Sequence, residues 1–434
     1  MFPKRKKPFP FLVIFQRNPR HYTGRMTSAP SPSSLRPGPR PFDYHLFGTH
    51  VCFGEGASSL IVKELEALGC SRPVILTQAR MANSERFRTL SEAWQGLDTL
   101  LLTDVPNHSG VSFVETVAAK IADFRADCLI AIGGGSVADT AKALALLLAE
   151  GGALADHVTT FTPPATVHIP RRVKRQLPII GLPTTASGAE ATSSFGVRGA
   201  DGHKLMFWNR RVAAATLLID PLLCDDLPMA LLRDTAMNGI AHAVEALYSL
   251  GRSPVSDCVA VRAIDLFDEA LAPRALQAAP PTALPDTTAR DAALRAAILQ
   301  AAHLAGLALS MARSCLHHAI CHVVASRQDL AHGAVNRVIL PHALAFNEAV
   351  AADALQPALD AVNRRAQRPY PTLSAWVADI QRRHEMPTQL SDLGVPDTAL
   401  APMAAEIMTE RGLALNPRPL ADAADVLGIL RAAF

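Results

Sequence analysis

The sequence predicts an α/β N-terminal domain over residues 42–226 joined to an all-α C-terminal domain over residues 227–434. Three observations predict it. Short apolar runs alternate with amphipathic helical patterns up to about residue 226, which implies a parallel sheet wrapped by helices. From Pro228 to the end the periodicity is almost entirely helical. One of the apolar runs ends in Gly133-Gly134-Gly135-Ser136 with a helical pattern directly behind it, as a tight strand-to-helix turn requires.

Residues 1–41 stand apart from both domains. They hold nine of the 42 Lys and Arg and none of the 39 Asp and Glu, leaving 33 basic against 39 acidic residues in the remainder. A basic start, an apolar stretch broken by prolines and a Pro/Ser/Arg-rich continuation fit a disordered extension, a transit peptide, a crude signal peptide or a start codon set too early, with Met26 as the true beginning. The mildly acidic body speaks against a nucleic-acid partner. No run of 18 apolar residues occurs, so no membrane partner is expected. Seven cysteines without CxxC spacing read as free thiols in a reducing, cytoplasmic setting.

Within the first domain the patterns predict helices at 58–68, 114–124 and 137–150 and strands at 73–77, 128–132, 177–182 and 214–219. The glycine loop after the second of these strands lets the backbone approach a ligand, and the helix N-terminus behind it suits a pyrophosphate. Gly134, Gly135, Ser136 and Asp139 are the expected contacts, with Ser136 as N-cap and Asp139 completing a capping box. The next strand runs into Pro183-Thr184-Thr185-Ala186-Ser187-Gly188, whose hydroxyls at Thr184, Thr185 and Ser187 suit a phosphate or ribose. Two such loops predict a dinucleotide, NADH or NADPH. The strand at 73–77 continues Gln78-Ala79-Arg80 without a carboxylate for a ribose, and Arg80 suits a 2′-phosphate, so use of both cofactors is expected.

In the helical half, Asn238 and His242 lie four apart, as do His318 and His322, so each pair shares one helix face. His332 arrives on the turn that follows. Clustered imidazoles on apolar helices point to proton handling or to a divalent metal. His303, His317 and His342 are secondary candidates, with His317 flanking the site.

The order GGGS-x-x-DTAK, PTTxSGxE, [DN]xxxH and HxxxH, followed by Leu340-Pro341-His342 and Asn416-Pro417-Arg418-Pro419, resembles the iron-containing (group III) alcohol dehydrogenases over about residues 42–434. Within that family the segments around Asn238 and His318 are most similar to the maleylacetate reductases. The resemblance implies a dinucleotide-binding domain and a helical domain with the site between them, an architecture shared with dehydroquinate synthases. It also implies a homodimer. In the metal-dependent members one Asp and three His hold a divalent ion, and the matching positions here are Asn238, His242, His318 and His332. His322 matches a further active-site histidine and Lys204 a cofactor-contacting lysine.

Asn at 238 removes the anionic ligand, since a neutral amide is a weak metal donor. The implied reading is therefore catalytic: His242, His318, His322, His332 and Asn238 orient and protonate a small dicarboxylate, maleylacetate, reduced to 3-oxoadipate in the breakdown of aromatic compounds. Iron or zinc on His242, His318 and His332 is compatible with the pattern but not expected to be essential. Arg210, Arg211, Arg313 and Arg418 are the candidates for binding the carboxylates. Three alternatives stay open: a metal-dependent dehydrogenase or carbonyl reductase of the same family, a lyase like the dehydroquinate synthases, and a nucleotide binder without catalysis. Ala189 and Ala191 depart from the subgroup's usual residues beside the second loop.

Overall fold

A computed structural model describes residues 23–24, 42, 44–45, 48–162, 166–271 and 287–434. The N-terminal half is built on a six-stranded sheet in the order β2-β11-β8-β5-β3-β4, every pairing parallel. Its strands are β2 (His50–Phe53), β3 (Pro73–Leu76), β4 (Leu100–Leu102), β5 (Cys128–Gly133), β8 (Ile179–Pro183) and β11 (Thr216–Ile219). The strands predicted from apolar runs are the four central ones, and each is buried at every position. The two edge strands escaped prediction because an edge strand is half exposed and needs no continuous apolar run.

Helices cover both faces. α1 (Ile61–Leu68), α2 (Ala79–Ala82) and α3 (Glu85–Ser91) lie with the core that includes Ile75, Ile130 and Leu218. α4 (Val111–Phe124) and α5 (Gly135–Glu150) pack on Val74, Leu129 and Leu217. Two small antiparallel sheets complete the half. β9 (Ser194–Arg198) pairs with β10 (Lys204–Trp208), and β6 (Thr160–Thr162) pairs with β7 (Thr166–His168). β1 (Thr23–Gly24) pairs with β7, so the extension is not wholly separate from the fold; the rest of residues 1–41 lies outside the described residues.

The C-terminal half is helical throughout: α6 (Met229–Tyr248), α7 (Pro254–Leu271), α8 (Thr287–Ala312), α9 (Leu316–Arg327), α10 (His332–Asn363), α11 (Leu373–Arg383), α12 (Leu400–Ile407) and α13 (Ala423–Ala432). The expected loop at 280–285 lies outside the described residues. α6 is buried continuously from Ala236 to Tyr248 and α9 from Leu316 to Ala325. A helix apolar on all sides belongs at a domain centre, and these two carry the polar pairs. His332 is not on a turn, as expected, but opens α10, a 32-residue helix with Pro341 and Pro357 inside it. Arg290–Ala312 and His332–Asn363 have the length and hydropathy of membrane spans despite the lack of an unbroken apolar run. Both are packed inside the helical half, where α8 lies against α6 and α7 and α10 against α6.

One glycine contact fastens the halves together. Gly188 sits at φ +70°, and a Cβ there would lie 2.4 Å from the Ala302 carbonyl oxygen on α8. Reciprocally, a Cβ on Gly306 would lie 2.1 Å from the Gly188 carbonyl oxygen. Gly306→Ala is expected to push the 184–191 loop off α8 and to cost roughly 1–3 kcal/mol. The check is a lower thermal unfolding midpoint together with a raised KM for NAD(P)H; an unchanged midpoint would show that the backbones need no such closeness.

His303, a secondary candidate, is on α8 and does not line the cleft described below; its Nδ1 is buried without a partner. Burial pushes it from an ordinary value of 6.5 down to about 4. Between those values the unfolded chain binds a proton that the folded chain refuses, so stability falls as pH drops from 6.5 towards 4. The loss from this residue is at most roughly 3 kcal/mol. His303→Leu should therefore shrink the drop in urea midpoint between neutral and mildly acidic solution.

Candidate active site

β5 delivers the glycine loop to the C-terminal edge of the sheet, and α5 begins at Gly135 with Gly134 as its N-cap. The expected capping by Ser136 is wrong by two residues, since the N-cap is Gly134. Ser136 lies within the first turn and its hydroxyl donates to the Asn107 carbonyl instead. Asp139 does not cap either; its Oδ2 accepts from the Gly196 N–H at 3.1 Å, tying α5 to β9. Gly134 is needed for space, because a Cβ there would lie 2.9 Å from Thr185 Cγ2. The Thr184 N–H donates to the Gly133 carbonyl at 3.1 Å, so the two loops form one floor.

Lys142 underpins that floor, a role no sequence signal announced. Its Nζ donates to Ala189 O at 2.7 Å, Thr192 Oγ1 at 3.2 Å and Ser194 O at 3.3 Å, and lies 3.7 Å from Asp139 Oδ1. Burial lowers the Lys142 ammonium, opposed by Asp139 and Glu190, while burial pushes the Glu190 carboxyl up to about 7. The loop between Pro183 and Ser194 is thus pinned from beneath and free to face a ligand above.

The cleft over this floor holds about 1130 Å³ and runs between the two halves of the molecule. Gly134, Gly135, Ser136, Asp139, Thr184, Thr185, Ser187 and Lys204 line it together with Asn238, His242, His318, His322 and His332. A dinucleotide fits this side: a glycine edge on which Gly134 leaves no room for a Cβ, a helix N-terminus and three hydroxyls converge on it. Arg80 lines the far end with Gln78, and so does Asp104 after β4, a carboxylate the sequence reading passed over.

At the other end the histidines form a stack. His242 and His318 lie 4.9 Å apart between ring centroids with 22° between their planes, and His322 and His332 lie 5.7 Å apart at 18°. Burial, then the neighbouring His318, holds His242 well below the ordinary imidazole range. Burial, then the charge of Lys204, does the same to His322 and His332. These three rings are neutral at pH 7.

His318 differs. Its Nδ1 donates to Glu245 Oε2 at 2.6 Å. Glu245 is fully buried and also accepts from the N–H groups of Cys315 at 3.0 Å and His318 at 3.3 Å and from the Tyr248 hydroxyl at 3.3 Å. Burial opposes the carboxylate's charge, but the His318 imidazole outweighs it and holds Glu245 below the usual range. The dyad fixes the ring with Nδ1 protonated, so Nε2, buried and without a protein partner, is the atom left to exchange a proton in the cleft. His317 turns away from the site: its Nε2 donates to Asn336 O at 3.1 Å, and burial pushes it down to about 4.

Asn238 is locked by three contacts. Its Nδ2 donates to Ser187 O at 2.9 Å and lies 3.3 Å from His242 Nε2, while its Oδ1 accepts from Asn336 Nδ2. A backbone carbonyl only accepts, so Ser187 dictates which end of the amide faces it. The oxygen that would replace a carboxylate ligand therefore points away from the histidines.

The donor set does not fit a divalent ion. The nitrogens of His242, His318 and His332 do not gather within 4.8 Å of one another, and the fourth position offers N–H rather than oxygen. Glu245, His317 and His318 do gather within that distance, but the Glu245–His318 contact of 2.6 Å is a hydrogen bond. Two donors each about 2.1 Å from one tetrahedral ion stand about 3 Å or more apart.

Of the arginines proposed for the carboxylates, only Arg313 lines the cleft; it adopts φ +76° and stacks over Trp208 at 4.1 Å. Arg210 and Arg211 are exposed on a turn after β10, and Arg211 donates to Lys174 O at 3.4 Å. Arg418 stacks on Phe346 and donates to its carbonyl at 3.0 Å. Arg198 and Arg411 line the cleft instead.

Comparison with known proteins agrees with this architecture. The family model described as iron-containing alcohol dehydrogenase matches residues 48–221, and the one described as the C-terminal part of the Fe-containing alcohol dehydrogenase family matches 233–434. A maleylacetate reductase of Burkholderia cepacia is 32% identical over 374 residues, covering 85% of this chain and 91% of its own. Long-chain-alcohol dehydrogenase 1 of Geobacillus thermodenitrificans is 26% identical over 398 residues, covering 89% and 95%. The crystal structure of maleylacetate reductase from Agrobacterium tumefaciens superposes with a TM-score of 0.72 at 27% identity, over 91% of this chain and 98% of that one. The chain belongs to the iron-containing alcohol dehydrogenase family of oxidoreductases, with maleylacetate reductases among its relatives.

Proposed function

We propose that the protein reduces maleylacetate to 3-oxoadipate with NADH or NADPH. The observation that carries this reading is the Glu245–His318 dyad, with Nε2 facing a cleft of neutral imidazoles and an amide where a metal-holding site needs an anion. The nicotinamide cofactor, when bound on the glycine floor, supplies a hydride. Addition of hydride to the enone carbon β to the ketone sends the π electrons to the ketone oxygen as an enolate. In this reading His242, His322 and His332 hydrogen-bond that oxygen, and His318 Nε2 delivers to the α carbon a proton drawn from solvent. Glu245 keeps His318 in the tautomer that uses Nε2. Enolate formation needs less polarisation of a carbonyl than alcohol oxidation does, so the chemistry tolerates Asn238. The relatives named maleylacetate reductase support the substrate class.

The test is oxidation of NADH and NADPH by purified protein with maleylacetate, before and after exhaustive chelation. Turnover that survives chelation supports the proposal. A second reading, a metal-dependent dehydrogenase for another carbonyl compound, draws on the similarity to a long-chain-alcohol dehydrogenase. It would be established by inactivity with maleylacetate together with turnover of simple aldehydes that is lost on chelation and restored by iron or zinc.

A further inference from the structure

Two cations at the histidine end of the cleft have no ion-pair partner among the described residues. Lys204 and Arg411 both line it. Neither forms a hydrogen bond or ion pair with a described residue, and Arg411 Nε is buried without a partner. Of the other cations lining the cleft, Arg80 belongs to the far end, Arg198 is committed to Asp329 at 2.8 Å and to Ser326 O at 3.0 Å, and Arg313 to the face of Trp208. Glu410 precedes Arg411 in the chain, yet its oxygens are turned to imidazoles, Oε2 lying 3.5 Å from His322 Nδ1 and Oε1 3.7 Å from His203 Nε2. Burial pushes Glu410 up to about 7, so it is a weak neutraliser. Burial lowers the Arg411 guanidinium and the neighbouring Glu410 only partly offsets it.

The cations are positioned rather than stray. Lys204 lies on β10 opposite the β9 hairpin strand, and its stem crosses Gly196, where a Cβ would come within 2.1 Å of Lys204 Cε. Gly196 is held to Asp139 through its N–H. Lys204 is, after burial, the largest influence on both His322 and His332, and Arg411 acts on His322 as well. Both cations and both rings line the same cleft, with Lys204 acting on both rings and Arg411 on His322. A half-buried guanidinium whose Nε is shut off from solvent and partners is costly, and a ligand that brings an anion removes the cost on binding.

We propose that Lys204 and Arg411 form an anionic subsite that takes one carboxylate of the substrate beside His322 and His332. Arg411 offers a planar fork for two parallel N–H···O bonds and Lys204 a compact charge. This reassigns Lys204 from cofactor to substrate and gives the missing partner for the carboxylates that Arg210, Arg211 and Arg418 do not reach. The inference rests on the proposed reduction of a dicarboxylate, but its test is separable from it.

Arg411→Gln and Lys204→Gln are each expected to raise KM for maleylacetate about 10- to 100-fold. KM for NADH should stay within about twofold and kcat within a few-fold, with Arg411→Lys recovering part of the loss. One of the two monomethyl esters of maleylacetate should lose a similar factor with the wild-type enzyme, and lose nothing further with Arg411→Gln. The ester comparison needs no variant, so it decides even if Arg411→Gln does not fold. Glutarate, as a simple dicarboxylate, should bind the enzyme–NAD⁺ complex in calorimetry and bind the Arg411→Gln complex more weakly by the same factor. Glutarate binding that depends on Arg411 in an enzyme inactive on maleylacetate would keep the subsite and sink the reductase. Turnover of maleylacetate with KM unchanged in both variants, or esters that perform as well as the diacid, would keep the reductase and overturn the subsite. A rise in KM for NADH instead would return Lys204 to the cofactor.

Discussion

Glu245→Gln is expected to lower kcat/KM for maleylacetate reduction by roughly 10²- to 10⁴-fold, the range over which a positioned proton donor and its orienting carboxylate act. The carboxylate accepts from His318 Nδ1 at 2.6 Å and from two backbone N–H groups at the start of α9. A glutamine keeps the shape, loses the charge that supports an imidazolium, and can present N–H where Nδ1–H now points. The ring is then free to settle with its proton on Nε2, the wrong tautomer for taking a proton from solvent and handing it to carbon. In the proposed binding mode the cofactor's phosphates rest on the glycine floor and not on Glu245, so the NADH dissociation constant, read from nicotinamide fluorescence, should hardly move. A variant that turns over at near wild-type rate would remove His318 from the proton path.

Asn238→Asp carries the second large effect, on metal affinity rather than rate. The amide now donates to Ser187 O and faces His242 Nε2 with its nitrogen. A carboxylate in that place sets an oxygen against the Ser187 carbonyl and a lone pair against the imidazole. Both repulsions are relieved by a cation. Affinity for Fe²⁺ or Zn²⁺ should rise roughly 10- to 100-fold, measured by competition with a chelator, while the wild-type enzyme keeps its activity in that chelator. Wild-type activity that vanishes on chelation and returns with iron would show that the amide does not exclude the ion.

The fold was legible where apolar continuity encodes it. The central strands β3, β5, β8 and β11 are buried along their whole length and therefore read as uninterrupted apolar runs. β2 and β4 are half exposed and β9 alternates, so none of the three reads as an uninterrupted apolar run, while β10, buried from Met206 to Trp208, was simply passed over. The floor of the cleft was legible in its glycines, although α5 starts two residues earlier than the caps suggested. Lys142, Glu245 and Arg411 were not. A lysine inside a helix, a glutamate three residues past a histidine and an arginine beside a glutamate are all ordinary on a solvated surface. Only burial makes them unusual, and burial depends on what packs over them.

Spacing of four along α6 and α9 was enough to put Asn238 with His242 and His318 with His322 on shared faces, because helical geometry is local. The same local rule explains why Gly133-Gly134-Gly135 before α5 announced a cofactor. Which atom each side chain presents was decided by partners far along the chain. Glu245, 73 residues before His318, chooses the nitrogen that faces the cleft. Ser187, 51 residues before Asn238, and Asn336, 98 residues after it, choose the end of the amide that faces the histidines. Hydrogen bonds between distant segments exist only once the helices have crossed, so the atoms that this donor pattern presents to the cleft were decided by the tertiary structure alone.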